Sequence, residues 1–253
     1  MRLLRRRQTN KPKGKYAALL HIVLTAAMPL LLYVLVTLGF ANVAFGVVLL
    51  SKWRMVAVKS RHWLANFRAN AVDIFVGFSA VIFMSLANGD RAAQFVWVAL
   101  YTAWLLFIKP QSSSLWVGMQ ALIAQTASLV AIFLIWNNVR GELLLTASVW
   151  LVTYLCARHF LTAFDEAMAR VTAYTWAFFC ACLTWLSAHW LLFYYSVSQP
   201  ALIITVIGYG MAALYYLEHI ERLKPGIRRQ FITLMVAILL FIIVFSDWSG
   251  DII

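Results

Sequence analysis

The chain has 253 residues, of which 64% are hydrophobic and only 12% are charged, and its mean hydropathy is +0.83. A soluble domain carries about 25% charged residues, so this composition excludes an ordinary soluble domain and predicts an all-α, polytopic transmembrane bundle. The formal charge is +12. The basic residues flank apolar runs rather than forming one patch, so we expect no nucleic-acid partner.

The chain begins with a basic stretch, residues 1–15, which we interpret as a flexible cytoplasmic tail resting on anionic lipid headgroups. Residues 16–253 contain no stretch long enough to be a linker between domains. They therefore predict a single transmembrane helical domain, with the lipid bilayer as its main partner. A membrane-protein partner or a second copy of the chain is also compatible with this pattern.

Nine apolar runs, bounded by polar or basic breaks, predict about nine spans, or eight if one short helix is re-entrant. The runs are Tyr16–Thr37, Gly39–Leu50, Ala71–Ala87, Ala92–Ile108, Ser114–Trp136, Leu143–Cys156, Val171–Tyr194, Ala201–Tyr216 and Phe231–Phe245.

The first two runs form one uncharged stretch from Tyr16 to Ser51. A single helix of that length would reach about 54 Å, well beyond a hydrocarbon core of about 30 Å. Gly39 and Asn42 near its middle predict a turn that divides it. Two short spans and a re-entrant hairpin both fit, and both return the chain to its starting side.

The basic residues set the predicted orientation. If the first stretch returns to its starting side, all but two of the 21 Lys and Arg residues share one side of the membrane, the exceptions being Arg91 and Arg140. The positive-inside rule then predicts a cytoplasmic N-terminus and an external C-terminus. No Asn-x-Ser/Thr acceptor occurs in the sequence, which fits the plasma (inner) membrane of a bacterium.

Residues 51–73 predict an amphipathic helix that follows the interface over 51–70 and then enters the third span. At about 100° per residue, Lys59 and the four residues His62, Asn66, Asn70 and Asp73 fall on one face. One interpretation is a solvated stripe, with Asp73 pairing locally with a basic neighbour, Arg68 or Lys59.

The alternative interpretation is functional. The stripe would line a cytoplasmic cavity, and His62, Asn66, Asn70 and Asp73 would bind an ion, a proton or a polar substrate, since an ionisable residue at membrane depth marks a functional candidate. Gln120 and Gln125 make the fifth run polar and are candidates for the same pathway. The basic residues Lys59, Arg61 and Arg68 are candidates for binding a lipid headgroup.

A second polar segment follows the sixth run and contains His159, Asp165 and Glu166. These side chains could join His62 and Asp73 in an acid–base or metal site, but the spacing matches no ligand pattern and favours solvated loop charges. We therefore predict no metal site, no cofactor and no identifiable catalytic residue.

The sequence contains no Gly-rich phosphate loop, HExxH, GxSxG or CxxC motif. Three functions remain open: a transporter or permease, or the membrane subunit of one; a non-catalytic scaffold or assembly factor; and an enzyme acting on a lipid-linked substrate at the cytoplasmic face. Short loops and a polar fifth run favour the transporter, and the missing motifs weigh against an enzyme.

Overall fold

The chain is almost entirely helical in the residues that the structure, a computed structural model, describes, namely 15–55, 57–136, 141–188, 193–194 and 197–246. Only Lys15 of the predicted basic tail belongs to these residues. The α-helices are α1 (Lys15–Thr37), α2 (Ala41–Leu50), α3 (Trp63–Leu86), α4 (Arg91–Ala103), α5 (Ser114–Trp136), α6 (Glu142–Ala163), α7 (Ala169–Ser187), α8 (Gln199–His219) and α9 (Pro225–Phe245).

Shorter elements connect these helices. Two 3₁₀ helices (Trp53–Met55 and Ser60–His62) precede α3, and a π-helix (Trp104–Ile108) extends α4. Two short strands, β1 (Phe193–Tyr194) and β2 (Val197–Ser198), pair antiparallel before α8.

Six of the described helical segments are long and apolar enough to cross a membrane. They are Ser60–Leu86, Arg91–Ile108, Ser114–Trp136, Glu142–Ala163, Gln199–His219 and Pro225–Phe245. An all-α membrane bundle is thus confirmed, whereas nine spans stay a prediction. The shortest apolar helix, α2, has 10 residues and measures about 15 Å, about half of the hydrocarbon core.

Helices α1 and α2 form a hairpin whose turn depends on Gly39. The Phe40 amide donates to the Leu35 carbonyl at 2.8 Å and the Gly39 amide to Val36 at 3.0 Å. This is the hydrogen-bond pattern of a Schellman helix end, which needs a left-handed residue after the last helical turn. Gly39 supplies it with φ +81°, so the turn predicted near Gly39 and Asn42 is confirmed.

Within the described residues, the α2–α3, α4–α5, α6–α7 and α8–α9 connections, which were predicted to share one side, lie at one end of the bundle, which we call the basic end. Lys52, after α2, and Lys109, after the π-helix, both reach Asp73. Tyr215, in the last turns of α8, bonds Glu166 in the α6–α7 connection. The compartment that this end faces stays a prediction.

The continuous helix predicted over residues 51–73 is wrong in its first half. Residues 51–55 and 57–62 form turns, bends and the two 3₁₀ helices, and α3 begins at Trp63. The Trp63 indole donates to the Val58 carbonyl at 2.9 Å, which folds this connection back against the start of α3. The sequence pattern is helical in period, but tertiary contacts determine the backbone here.

The core extends along the inner faces of α1 to α6. Its members include Leu32, Val48, Val81, Met84 and Ala124, all fully buried. A second apolar cluster joins α5, α6, α7 and α8 towards the opposite end. Large apolar side chains cover the outer faces of the helices, as expected where the surrounding solvent is lipid.

We expect Gly77→Ala to lower the free energy of unfolding by about 1–3 kcal/mol through overpacking. A Cβ at Gly77 would lie 2.7 Å from Val48 Cγ1 and 2.9 Å from the Tyr101 hydroxyl, and both neighbours are buried. Gly46→Ala is the matched control, because a Cβ there meets no atom within 4 Å. Thermal unfolding of both variants in one detergent tests this, and equal midpoints would contradict the close α2–α3 packing.

Candidate functional site

Asp73 lies at the centre of a charged cluster at the basic end. Its Oδ2 atom accepts from Lys52 Nζ at 2.6 Å and from Lys109 Nζ at 2.9 Å. The side chains of Asp73 and Lys52 are 18% and 14% exposed, whereas that of Lys109 is 37% exposed. The predicted local pairing of Asp73 with Arg68 or Lys59 is therefore wrong, since both partners come from other helix ends.

Backbone contacts at two helix ends position the lysines. Lys52 follows α2, where its amide donates to the Leu49 carbonyl at 2.9 Å. Lys109 follows the π-helix, and its amide donates to Trp104 at 2.9 Å. Gln120 of α5 fixes the same connection by donating from Nε2 to the carbonyls of Ile108 at 2.7 Å and Gln111 at 3.0 Å.

The charge state of Lys52 depends on its carboxylate partner. Burial lowers the pKa of Lys52 below its usual value, the Asp73 carboxylate opposes this shift, and the positive charge of Lys109 lowers the pKa further. Two ammonium groups thus share one carboxylate oxygen in a half-buried setting. The cluster carries a surplus positive charge.

Two further titratable side chains lie inside the bundle. Tyr101 of α4 is buried beside Gly77. His159 Nε2 in α6 is buried and has no hydrogen-bond partner among the described residues. Of the predicted second segment, Glu166 bonds Tyr215, and the described ion pairs of Asp73 are with Lys52 and Lys109 instead.

The other residues of the predicted stripe make local contacts near the start of α3. His62 accepts from Arg61 Nε at 2.9 Å, Asn66 Nδ2 donates to the Met55 carbonyl at 3.3 Å, and Asn70 Nδ2 donates to Asn66 at 2.9 Å. The predicted headgroup-binding set Lys59, Arg61 and Arg68 is exposed. Only Asp73 of the stripe enters the charged cluster.

A cavity of about 470 Å³ lies between α5, α6, α7 and α8. Its wall is almost entirely apolar and aromatic, and Gln125 of α5 is the only amide side chain among the described lining residues. They are Ala121, Leu122, Gln125, Cys156, Ala157, Phe160, Leu161, Thr172, Thr175, Trp176, Phe179, Ile207, Gly208, Met211, Ala212 and Tyr215. We call this space the α5–α8 cavity.

Gln125 presents a free donor to the α5–α8 cavity. Its side chain is only 4% exposed, and its Oε1 atom accepts from Trp176 Nε1 at 3.1 Å. The Nε2 group donates to no acceptor among the described residues. Trp176 thus fixes the orientation of the amide and leaves its N–H groups available to a ligand.

The α5–α8 cavity reaches the outer surface of the bundle between α7 and α8. Helix α7 packs along α6 and makes few contacts with α8. On the two sides of the resulting gap, Phe179 and Met211 line the cavity and are also 44% and 52% exposed on the outer surface of the bundle. An apolar molecule could therefore enter from the bilayer between α7 and α8.

The two glutamines predicted for one pathway have different surroundings. Gln120 uses its amide to hold the backbone of the α4–α5 connection, while Gln125 faces the cavity. The structure does not bring them together with Asp73 into one continuous site. Their roles in a pathway stay predictions.

No group of three or more His, Cys, Asp or Glu side chains that could hold a metal occurs within the described ranges. The three cysteines are free thiols; Cys156 and Cys180 are buried and Cys182 is exposed.

A hydrogen bond at the basic end of the α5–α8 cavity predicts a pH dependence. The Tyr215 hydroxyl donates to Glu166 Oε2 at 2.6 Å, and this bond holds the pKa of Glu166 below its usual range. A lowered folded-state pKa adds stability above the unfolded pKa of about 4.3 and loses it as the pH falls further. We expect Tyr215→Phe to lower the thermal midpoint at pH 7, and the difference from wild type to shrink below about pH 4. A difference in thermal midpoint that is constant with pH would contradict a hydrogen bond to the ionised Glu166 carboxylate.

Comparison of the chain with protein-family models, with curated proteins and with solved structures finds no match. The fold therefore defines the class, an α-helical membrane protein with several long apolar helices. A more specific assignment has to come from the α5–α8 cavity and the Asp73 cluster.

Proposed function

We propose that this protein is a transporter, or the membrane subunit of one, for an amphipathic cargo with an apolar chain that enters from the bilayer. The observation that carries the proposal is the α5–α8 cavity, which is open between α7 and α8 and holds the free Gln125 amide. Its volume of about 470 Å³ is within the range of small-molecule sites, about 300–1,000 Å³.

The lining chemistry indicates the kind of cargo. Apolar walls bind methylene groups, each worth about 0.8 kcal/mol when it leaves water. A molecule that already resides in lipid gains less from such walls, so the polar contact has to supply the selectivity. The Gln125 Nε2 group suits an acceptor such as an ester, ketone or hydroxyl oxygen placed beside an apolar chain.

The other two functions have weaker support. The enzyme hypothesis rested on His62, Asn66, Asn70 and Asp73, with Lys59, Arg61 and Arg68 attracting a headgroup. The first three make local contacts at the start of α3, and Asp73 pairs with Lys52 and Lys109. One observation favours a scaffold role: α9 packs mainly on α8 and leaves most of its apolar surface exposed. A partner helix or a second copy could cover that surface.

The sidedness of the proposal follows from the basic residues. We propose that the basic end faces the cytoplasm of a bacterial cell and that the protein resides in the plasma membrane. Cargo would then enter the cavity from the part of the bilayer nearer the cytoplasm, where Tyr215 and Phe160 line the cavity.

We expect Gln125→Leu to reduce cargo binding by about 2- to 13-fold, the equivalent of one net hydrogen bond of about 0.5–1.5 kcal/mol. The measurement is mass spectrometry of lipophilic molecules that remain on the protein after gentle extraction from its own membrane. Transport is then measured as transbilayer movement of the identified molecule in proteoliposomes.

Gln120→Leu is the matched control, since it removes an amide from the same helix without touching the cavity wall. It should lower stability, by freeing the carbonyls of Ile108 and Gln111, and leave cargo occupancy unchanged. Equal retention in wild type and Gln125→Leu, or the absence of any retained lipophile from both, would contradict the proposal.

A further inference from the structure

The first part of the chain concentrates positive charge around a single acid. Asp73 is the only Asp or Glu before Asp90 in the sequence. Around it, the structure places Lys52 and Lys109 in contact, and three exposed basic side chains lie on the preceding connection and the first turns of α3. These three are Lys59, Arg61 and Arg68.

The contacts of Asp73 leave that surplus unbalanced. Both ammonium groups bind the same carboxylate oxygen, Oδ2, so one negative charge faces two positive charges at 2.6 and 2.9 Å. Among the described residues, Asp73 is the one acid that pairs with either lysine. The electrostatic complement of this region is an anion.

Lys109 is the member of the cluster that can bind such an anion. It is 37% exposed, whereas Lys52 is 14% exposed, and it has the longer bond to Asp73. Its ammonium carries three donors, so it can keep or exchange its contact with Asp73 while donating outward. Lys52 alone can satisfy the Asp73 carboxylate.

The position of the cluster indicates where the anion resides. Helix α2 and the π-helix both end beside it, so the cluster lies where the chain leaves the apolar core at the basic end. Exposed Trp63 and Leu64 flank the same region, and an aromatic residue at a helix end is typical of the membrane interface. At that depth the available anions are lipid phosphates.

We propose that Lys109, beside the Lys52–Asp73 pair, binds the phosphate of an anionic phospholipid, and that the exposed basic side chains Lys59, Arg61 and Arg68 attract the same anionic lipids to this end of the bundle. The site is separate from the α5–α8 cavity and does not depend on the transporter proposal. Lysine and arginine donors suit phosphate oxygens, and basic segments beside a membrane attract anionic lipids.

The test is a lipid titration of the full-length protein in detergent, followed by native mass spectrometry. Phosphatidylglycerol and phosphatidylcholine with identical acyl chains are compared in wild type, Lys109→Gln and Lys109→Arg. We expect phosphatidylglycerol to bind in preference, about a 5-fold loss of that binding in Lys109→Gln, and its retention in Lys109→Arg. Lys224→Gln, a basic-end residue in the α8–α9 connection, is the matched control and should bind as wild type does.

Lys59→Gln provides a second variant on an exposed side chain, where folding is not at stake, and should also weaken phosphatidylglycerol binding. Unchanged binding in both Lys109→Gln and Lys59→Gln would overturn the proposal. So would an equal loss in Lys224→Gln, which would reveal only a general attraction to the basic end. Inorganic phosphate in a parallel titration identifies the source: stabilisation by phosphate alone, without preference between the lipids, would replace the lipid by a soluble anion and overturn the assignment.

Discussion

Asp73→Ala is expected to lower the free energy of unfolding by about 3 kcal/mol, the lower end of the range of about 3–5 kcal/mol found when one member of a buried ion pair is removed. The reason is Lys52, which is 14% exposed and would lose the counter-ion that stabilises its ammonium group, 2.6 Å from where the carboxylate had been. Lys109 contributes less, because its 37% exposed side chain can turn towards water. Reversible unfolding in SDS, in micelles without anionic lipid, measures the change.

Two further variants separate the charge effect from the loss of a side chain. Asp90→Ala removes the N-cap of α4, where Asp90 Oδ1 accepts from the Ala92 and Ala93 amides, and should cost about 1 kcal/mol. The double variant Lys52→Met with Asp73→Leu replaces the pair by apolar side chains and should recover most of the loss. A cost for Asp73→Ala no larger than that of Asp90→Ala would contradict a buried ion pair at this position.

The sequence predicted the helical membrane class because that class depends on composition and on runs of apolar residues. The α1–α2 turn could also be predicted from the sequence. A turn within the uncharged stretch needs a residue that adopts positive φ, and Gly39 is that residue. The residue at which α3 begins could not be predicted from the sequence. The sequence before Trp63 has a helical pattern, but contacts such as that of Trp63 with Val58 determine the backbone there.

The candidate site was predicted only in part, because the partners of Asp73 are also determined by tertiary contacts. Asp73 was identified as an ionisable residue at membrane depth, but its partners were sought on the same predicted helix, at Arg68 or Lys59. Lys52 and Lys109 lie 21 and 36 positions away, on the ends of two other helices, and no local periodicity relates them to Asp73. The available signal was the lack of any other acid before Asp90.

Gln120 and Gln125 show the same limit within one helix. Five positions at about 100° per residue place their side chains about 140° apart, so they face different neighbours. The sequence showed that the fifth run is polar. It could not show that one amide would hold the α4–α5 connection while the other faces a cavity formed by three additional helices.

The largest effect on cargo binding is expected for Gly208→Leu in α8. A Cβ at Gly208 would lie 3.0 Å from Gln125 Nε2 and 3.4 Å from the Trp176 ring. A leucine would therefore extend into the α5–α8 cavity, occupy space that the cargo needs and push the Gln125 amide away from its position. We expect at least a tenfold loss of retained cargo and of transbilayer transport, with smaller losses for Gly208→Ala.

Gly210→Ala is the matched control for Gly208→Ala, because it changes the same helix two residues away. Its Cβ would meet Met235 Sδ of α9 at 2.6 Å, a flexible thioether that can move aside, and Gly210 does not line the cavity. Unfolding measurements on all three variants show whether each still folds. If Gly208→Leu folds and retains cargo as wild type does, the α5–α8 cavity is not the cargo site; if cargo falls with side-chain size at Gly208 alone, the free Gln125 amide and the space beside it define where the cargo binds.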